Sequence, residues 1–195
     1  MIERATIQNV VCLEELDIDL SSEHKLGYFA LGFQSLGLKV TSLDVTKFKK
    51  VHQHDQFLNT LAEIQQTRPI DLLFFNHHSD FQFHEPLFAA IKRLKIKTAI
   101  WFGDDNHKFF EETSKIAHLF DFPITTCPYA RDRYPANGLP IPIFSFWGAE
   151  MQMINPQVDR GEQYGVTFVG TWSRYRQFTF DRLHKNGFKP KFFGP

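Results

Sequence analysis

A chain of 195 residues that is 43% hydrophobic and 23% charged has apolar volume for a sizeable core, and its 22 phenylalanines argue against a disordered chain. Lysine plus arginine and aspartate plus glutamate number 22 each, so no net field directs the chain to DNA, RNA or an anionic membrane, and any recognition of phosphate has to be local. The two cysteines, Cys12 and Cys127, lie far apart and outside CxxC or metal-ligand spacing. They are expected as reduced core residues of a cytoplasmic protein, since the start is not leader-like and no 18-residue apolar run occurs.

Apolar runs of strand length alternate with amphipathic segments of helix length, the pattern of βαβ units in a parallel sheet. Strands are predicted at residues 7–13, 38–45, 70–76, 98–102, 124–127 and 141–146. Most are apolar at consecutive positions, as in Asp71-Leu72-Leu73-Phe74-Phe75, which suits strands covered on both faces. The first helix is expected to start near Ser21-Ser22, with Leu26, Phe29, Ala30, Phe33 and Leu36 on one stripe and Gly37 ending it. A second stripe runs through Phe57, Leu58, Leu61 and Ile64 and stops before Pro69; a third runs through Leu87, Ala90, Ile91 and Leu94. His52 and His54, beside Asp55, fall in a predicted surface loop and are expected to be solvated.

After Trp147 the sequence turns polar, with Pro156 and Gly161, and residues 155–163 read as a linker. A strand at 165–170, a helix through Phe178, Phe180 and Leu183 ended by Asn186-Gly187, and a strand at 189–193 follow. The expected organisation is therefore a Rossmann-like domain over residues 1–154, with helices on both faces of a parallel sheet. The linker and one βαβ unit of an incomplete second Rossmann-like domain, residues 164–195, complete it. An unfinished sheet leaves an apolar edge, so self-association or a missing partner segment is expected.

In an open parallel sheet the ligand site lies beyond the carboxyl ends of the strands. There the third strand runs into Asn76-His77-His78-Ser79-Asp80 and the fourth into Gly103-Asp104-Asp105-Asn106-His107. His77, His78, Asp104 and Asp105 are the candidate catalytic residues, able to position a hydroxyl or take its proton. The alternative for Asp104 or Asp105 is a cap on the helix near His107, and for the histidines an ordinary loop position. Together with Asp80, His84 and His107 these are residue types that hold zinc or manganese, but neither HExxH nor HxHxDH spacing occurs, and no metal is expected.

A second candidate is residues 166–176, where a buried strand ends at Gly170 and small polar residues and two arginines lead into a helix. Gly170, Thr171, Arg174 and Arg176 are expected to hold a phosphate through backbone amides and guanidinium groups. The stretch is neither a P-loop nor a GxGxxG fingerprint, and no GxSxG elbow or cysteine nucleophile motif is present.

The order of Trp101-Phe102-Gly103-Asp104-Asp105, the strand Pro123 to Cys127, Pro142 to Trp147, and Phe168-Val169-Gly170 followed by Arg176 and Leu183 resembles the CgeB-like and family 4-type glycosyltransferases of the GT-B arrangement. The resemblance implies an acceptor-binding first domain and a second domain holding a nucleotide-sugar donor, with Gly170, Thr171 and Arg176 near the diphosphate and Asp104 or Asp105 near the acceptor. It implies no cofactor besides the donor substrate and no bound metal. The family's later strands and its acidic donor-binding residues have no counterpart here, so the isolated chain is expected to lack transfer activity. Two other classes stay open: a non-catalytic α/β binding module, and a metal-dependent hydrolase using the histidine-rich strand ends.

Overall fold

The structure is a computed structural model that describes residues 7–16, 27–77, 80–145, 166–170 and 173–193. The chain divides into two compact units, residues 1–151 and 152–195. In the first, β1 (Asn9–Glu14), α1 (Tyr28–Ser35), β2 (Lys39–Asp44), α2 (His54–Thr67), β3 (Leu72–Asn76), α3 (Glu85–Arg93) and β4 (Lys97–Phe102) follow one another. A broken helix comes next, made of α4 (Asp105–Lys108), a π-helical turn at Phe109–Thr113 and α5 (Ser114–Ile116). The unit continues through β5 (Phe122–Thr125), α6 (Arg133–Ala136) and β6 (Ile143–Phe144). The six strands form one sheet in the order β2-β1-β3-β4-β5-β6, every neighbouring pair parallel. This is a Rossmann-like α/β fold.

The strand order reverses after β2, and the reversal decides where the helices go. A right-handed crossover running one way across a sheet lays its helix on one face, and one running back lays it on the other. Alternating side chains accordingly feed two cores. Val10, Cys12, Leu72, Phe74, Ala99 and Trp101 pack with Ala30, Phe29 and Phe33 of α1. Val11, Leu13, Leu73, Phe75, Ile100 and Phe102 pack under α2 and α3, against residues such as Phe57, Leu61, Leu87 and Ile91. Phe75 lies at the centre of the second core, its ring 5.3–6.3 Å from those of Phe57, Phe81, Phe83, Phe88 and Phe120. Burial on both faces explains the consecutive apolar residues of β3. Cys12 and Cys127 are free thiols, Cys12 buried and Cys127 half-buried.

Three expectations need correcting. The first helix begins at Tyr28 with Gly27 as its N-cap, while Ser21, Ser22 and Leu26 lie outside the described residues. Leu36 leaves the apolar stripe and is 75% exposed, because it is the residue on which α1 ends and the chain turns through Gly37 at φ +80°. His54 is not solvated. It opens α2 and is buried, its ring stacked on Phe81 and its Nδ1 2.7 Å from Nε2 of His84, the N-cap of α3.

That imidazole pair ties two helix starts together, and it needs one ring to donate and the other to accept. Burial, reinforced by His84, holds the His54 pKa below its ordinary 6.5. A histidine with a lowered folded pKa binds fewer protons folded than unfolded. Its stability contribution is present above the ordinary value and is lost as pH falls through the folded one. Urea unfolding at pH 7.5 and pH 5.5 is expected to show wild type losing stability on acidification. His54→Asn, which keeps hydrogen-bonding capacity without a titrating ring, should lose less.

In the second unit β7 (Thr167–Val169) and β8 (Lys191–Phe193) pair in parallel, joined through α7 (Arg174–Lys185). Phe168, Phe180 and Phe192 pack as a triangle of rings 5.6–6.4 Å apart. The residues predicted as a linker, 155–163, and the pair Phe146-Trp147 lie outside the described residues. Among the described residues no helix is long and apolar enough to cross a membrane.

Candidate functional site

The switch in strand order lies between β1 and β3, where Leu13 is in register with Phe75 and Glu14 leads the chain out beside Asn76. Ligands of open α/β sheets bind at such a point, with anions met by the amides opening the helix after β1. Here the position is filled from within. Glu14 is buried, and its carboxylate accepts from the amides of Phe29 (3.1 Å) and Ala30 (3.2 Å) and from Ser42 Oγ (3.2 Å). A Cβ at Gly27 would collide with the Glu14 carboxyl carbon, so only glycine lets the carboxylate reach the helix start. The sequence reasoning passed over Glu14; the available signal was a carboxylate closing the apolar run from Val10 to Leu13.

Next along the edge, His77 follows β3, and its amide donates to the Trp101 carbonyl at 3.2 Å. Phe102 and Phe83 cover its ring at centroid distances of 5.1 and 6.2 Å. Its Nε2 lies 3.5 Å from Oε2 of Glu112, whose Oε1 is 3.3 Å from Lys108 Nζ. Glu112 sits in the π-helical turn, a distortion that sequence periodicity does not reveal. His78 lies outside the described residues.

The two adjacent aspartates part company. Asp104 is exposed at the N-cap of α4 and makes no side-chain cap bond; its carbonyl accepts from the amides of His107 and Lys108. Asp105 is fully buried and accepts from Thr113 Oγ1 at 2.5 Å and Tyr134 Oη at 2.7 Å. Burial and then the Asp105 charge drive the Tyr134 phenol pKa far above its ordinary range, so it stays a proton donor. The Asp105 bonds join the start of α4 to the π turn and to α6. Nearby, Thr126 Oγ1 donates to the Gly103 carbonyl at 2.9 Å, binding the ends of β4 and β5 together.

A cavity of about 240 Å³ lies elsewhere, along α3 and the starts of β4 and β5, lined by Glu85, Lys92, Thr98, His118 and Asp121. The Asp121 carboxylate is already held by the Thr98 amide and hydroxyl and by Lys97, which keeps its pKa low against the opposing effect of burial. Its polar groups serve the strand starts.

In the second unit Gly170 ends β7 at φ +146°, a region that favours glycine. Ser173 caps α7, accepting from the Arg176 amide at 3.3 Å. The Arg176 guanidinium lies over the Phe168 ring, 4.6 Å from its centroid, and its Nη1 would be 3.6 Å from a Cβ at Gly170. Gly170 and Arg176 are thus brought together, Arg174 is exposed at the first position of α7, and Thr171 lies outside the described residues. No group of three or more metal-ligating side chains is gathered among the described residues. Set beside known proteins, the chain matches no family model and no curated protein.

Proposed function

We propose that the chain is glycosyltransferase-like, the first unit presenting the carboxyl edge of its sheet to a hydroxyl-bearing acceptor and the second holding the diphosphate of a nucleotide-sugar donor. The observation that carries this reading is the Gly170–Arg176 turn. A strand end without a side chain, a capped helix start and a returning guanidinium together suit a diphosphate. The matching position of the first unit is occupied by Glu14, which leaves the second unit for the anionic donor. His77 and Asp104, on the carboxyl edge, are the acceptor-side groups.

Calorimetric and thermal-shift titration with UDP- and GDP-sugars tests the donor half. A ligand bound only by the native state at one hundred times its dissociation constant stabilises by about 2.7 kcal/mol. Wild type is expected to bind saturably, Arg176→Ala to lose the binding and Arg174→Ala to weaken it. Undiminished binding by Arg176→Ala, or none by wild type, overturns the donor assignment.

A further inference from the structure

We propose that the His54–His84 pair is a proton-operated latch at the carboxyl edge of the first unit, closed while at least one ring is neutral and opened when both are charged. The inference goes beyond the transferase reading and does not depend on it.

The latch closes a strap. Residues 80–84, which lead into α3, are tied to residues 49–54, which lead into α2. Asp80 pairs with Lys49 at 2.8 Å, the Gln82 amide donates to the Lys49 carbonyl at 2.8 Å, and Gln82 Oε1 accepts from the Val51 amide at 2.9 Å. The buried end of the strap is His84 Nε2 against His54 Nδ1 at 2.7 Å.

Three observations give that end its role. First, a separation of 2.7 Å holds one N–H between the two nitrogens. Either ring can supply it, so the contact survives with one ring charged; with both charged, two N–H groups point at each other. Second, stability does not account for the pair. His54 is 3% exposed, and its Nε2 is buried without a hydrogen-bond partner of ordinary geometry among the described residues. An apolar side chain in that seat, against the Phe81 ring 5.3 Å away, would leave no such nitrogen unsatisfied.

Third, the surroundings oppose the second charge. His54 opens α2 and His84 caps α3, so both rings stand at helix starts, where free amides and the positive dipole end disfavour a cation. Burial, then His84, and also His52 act against charge on His54, while the Phe48 carbonyl and Asp55 favour it. Of the nearby carboxylates, Asp80 holds Lys49, and Glu85 stands 3.9 Å from His118.

The other ties persist where imidazole titrates. Two are amide bonds, and the hydrogen bond from Lys49 to Asp80 raises the lysine's pKa and keeps it charged. Acid therefore frees the α3 end of the strap and leaves the Asp80 end tied, which makes residues 80–84 a hinged segment on the carboxyl edge.

The test joins NMR titration of the imidazole nitrogens to amide hydrogen exchange in the full chain, from pH 7.5 to pH 5. Wild type is compared with His84→Gln, whose side-chain amide donates to His54 without titrating. The wild-type pair is expected to show two midpoints about one unit or more apart. Protection of the Gln82 and Val51 amides, corrected for intrinsic rate, should fall by up to about tenfold per pH unit through the lower midpoint. Both amides should stay less protected than Phe74 in β3, because the strap opens by itself. In His84→Gln the fall should be smaller. Constant protection in wild type overturns the proposal, as does an equal fall in folded His84→Gln. Protection of Gln82 and Val51 equal to that of Phe74 also overturns it, since the strap would then open only with the whole unit. A common midpoint for both rings does the same, and the wild-type measurements decide the matter even where the variant fails to fold.

Discussion

Asp105→Ala is expected to destabilise the first unit by about 3 kcal/mol, because it strips two buried hydroxyls of their acceptor at once. Thr113 and Tyr134 are 2% and 0% exposed, so water does not replace the carboxylate, and each orphaned hydroxyl costs about 1–3 kcal/mol. Removing the buried charge itself offsets part of that sum. In a chain of this length the change corresponds to a melting temperature about 6–12 °C lower. Tyr134→Phe, which leaves the carboxylate and one donor, should cost about 2 kcal/mol, and the pair of mutations should be less than additive because they share one bond. Urea denaturation followed by far-UV circular dichroism measures all three variants. An Asp105→Ala protein as stable as wild type would remove the structural assignment and return Asp105 to the candidate catalytic groups.

Glu14→Ala is expected to cost about 2–3 kcal/mol, the second large effect. The substitution removes the group that receives the α1 amides and also abandons Ser42. Glu14→Gln separates the hydrogen bonds from the charge. Burial raises the Glu14 pKa above 4.5, outweighing the lowering by the bonds from Phe29, Ala30, Ser42 and Gly27. A carboxyl with a raised folded pKa holds its proton more tightly folded than unfolded. Its contribution is therefore full below the ordinary value and declines as pH rises through the folded one. The stability of wild type relative to Glu14→Gln should be greatest near pH 4 and shrink toward neutrality; a difference independent of pH would mean that Glu14 does not titrate with folding.

The two carboxylates share a lesson about sites. Both end up near the carboxyl ends of parallel strands, where a ligand is expected, and both are consumed by the fold's own unsatisfied donors. Glu14 stands where an anion would be met. Asp105 fixes the broken helix that carries Glu112.

The sheet was legible in the residues themselves. A run such as Leu72-Leu73-Phe74-Phe75 has to be covered on both faces, and stripes such as Phe57, Leu61 and Ile64 supply the cover, so alternation of the two dictates parallel strands with helices on both sides. Gly170 and Arg176 were legible as well, because their proximity depends on a local strand–turn–helix. What the tertiary structure alone decided is which polar groups meet. Glu14 reaches an amide pair fifteen residues away, Asp105 a phenol twenty-nine residues on, and His54 an imidazole thirty residues on. Hydropathy cannot distinguish Asp104 from Asp105, yet a turn of about 100° per residue around a helix start sends one to solvent and buries the other. His77 and Glu112 likewise approach only because β3 and β4 lie side by side and a π turn interrupts the helix after β4. Periodicity reports burial, a property of each residue by itself; partnership depends on register and helix phase, which exist only once the chain has folded.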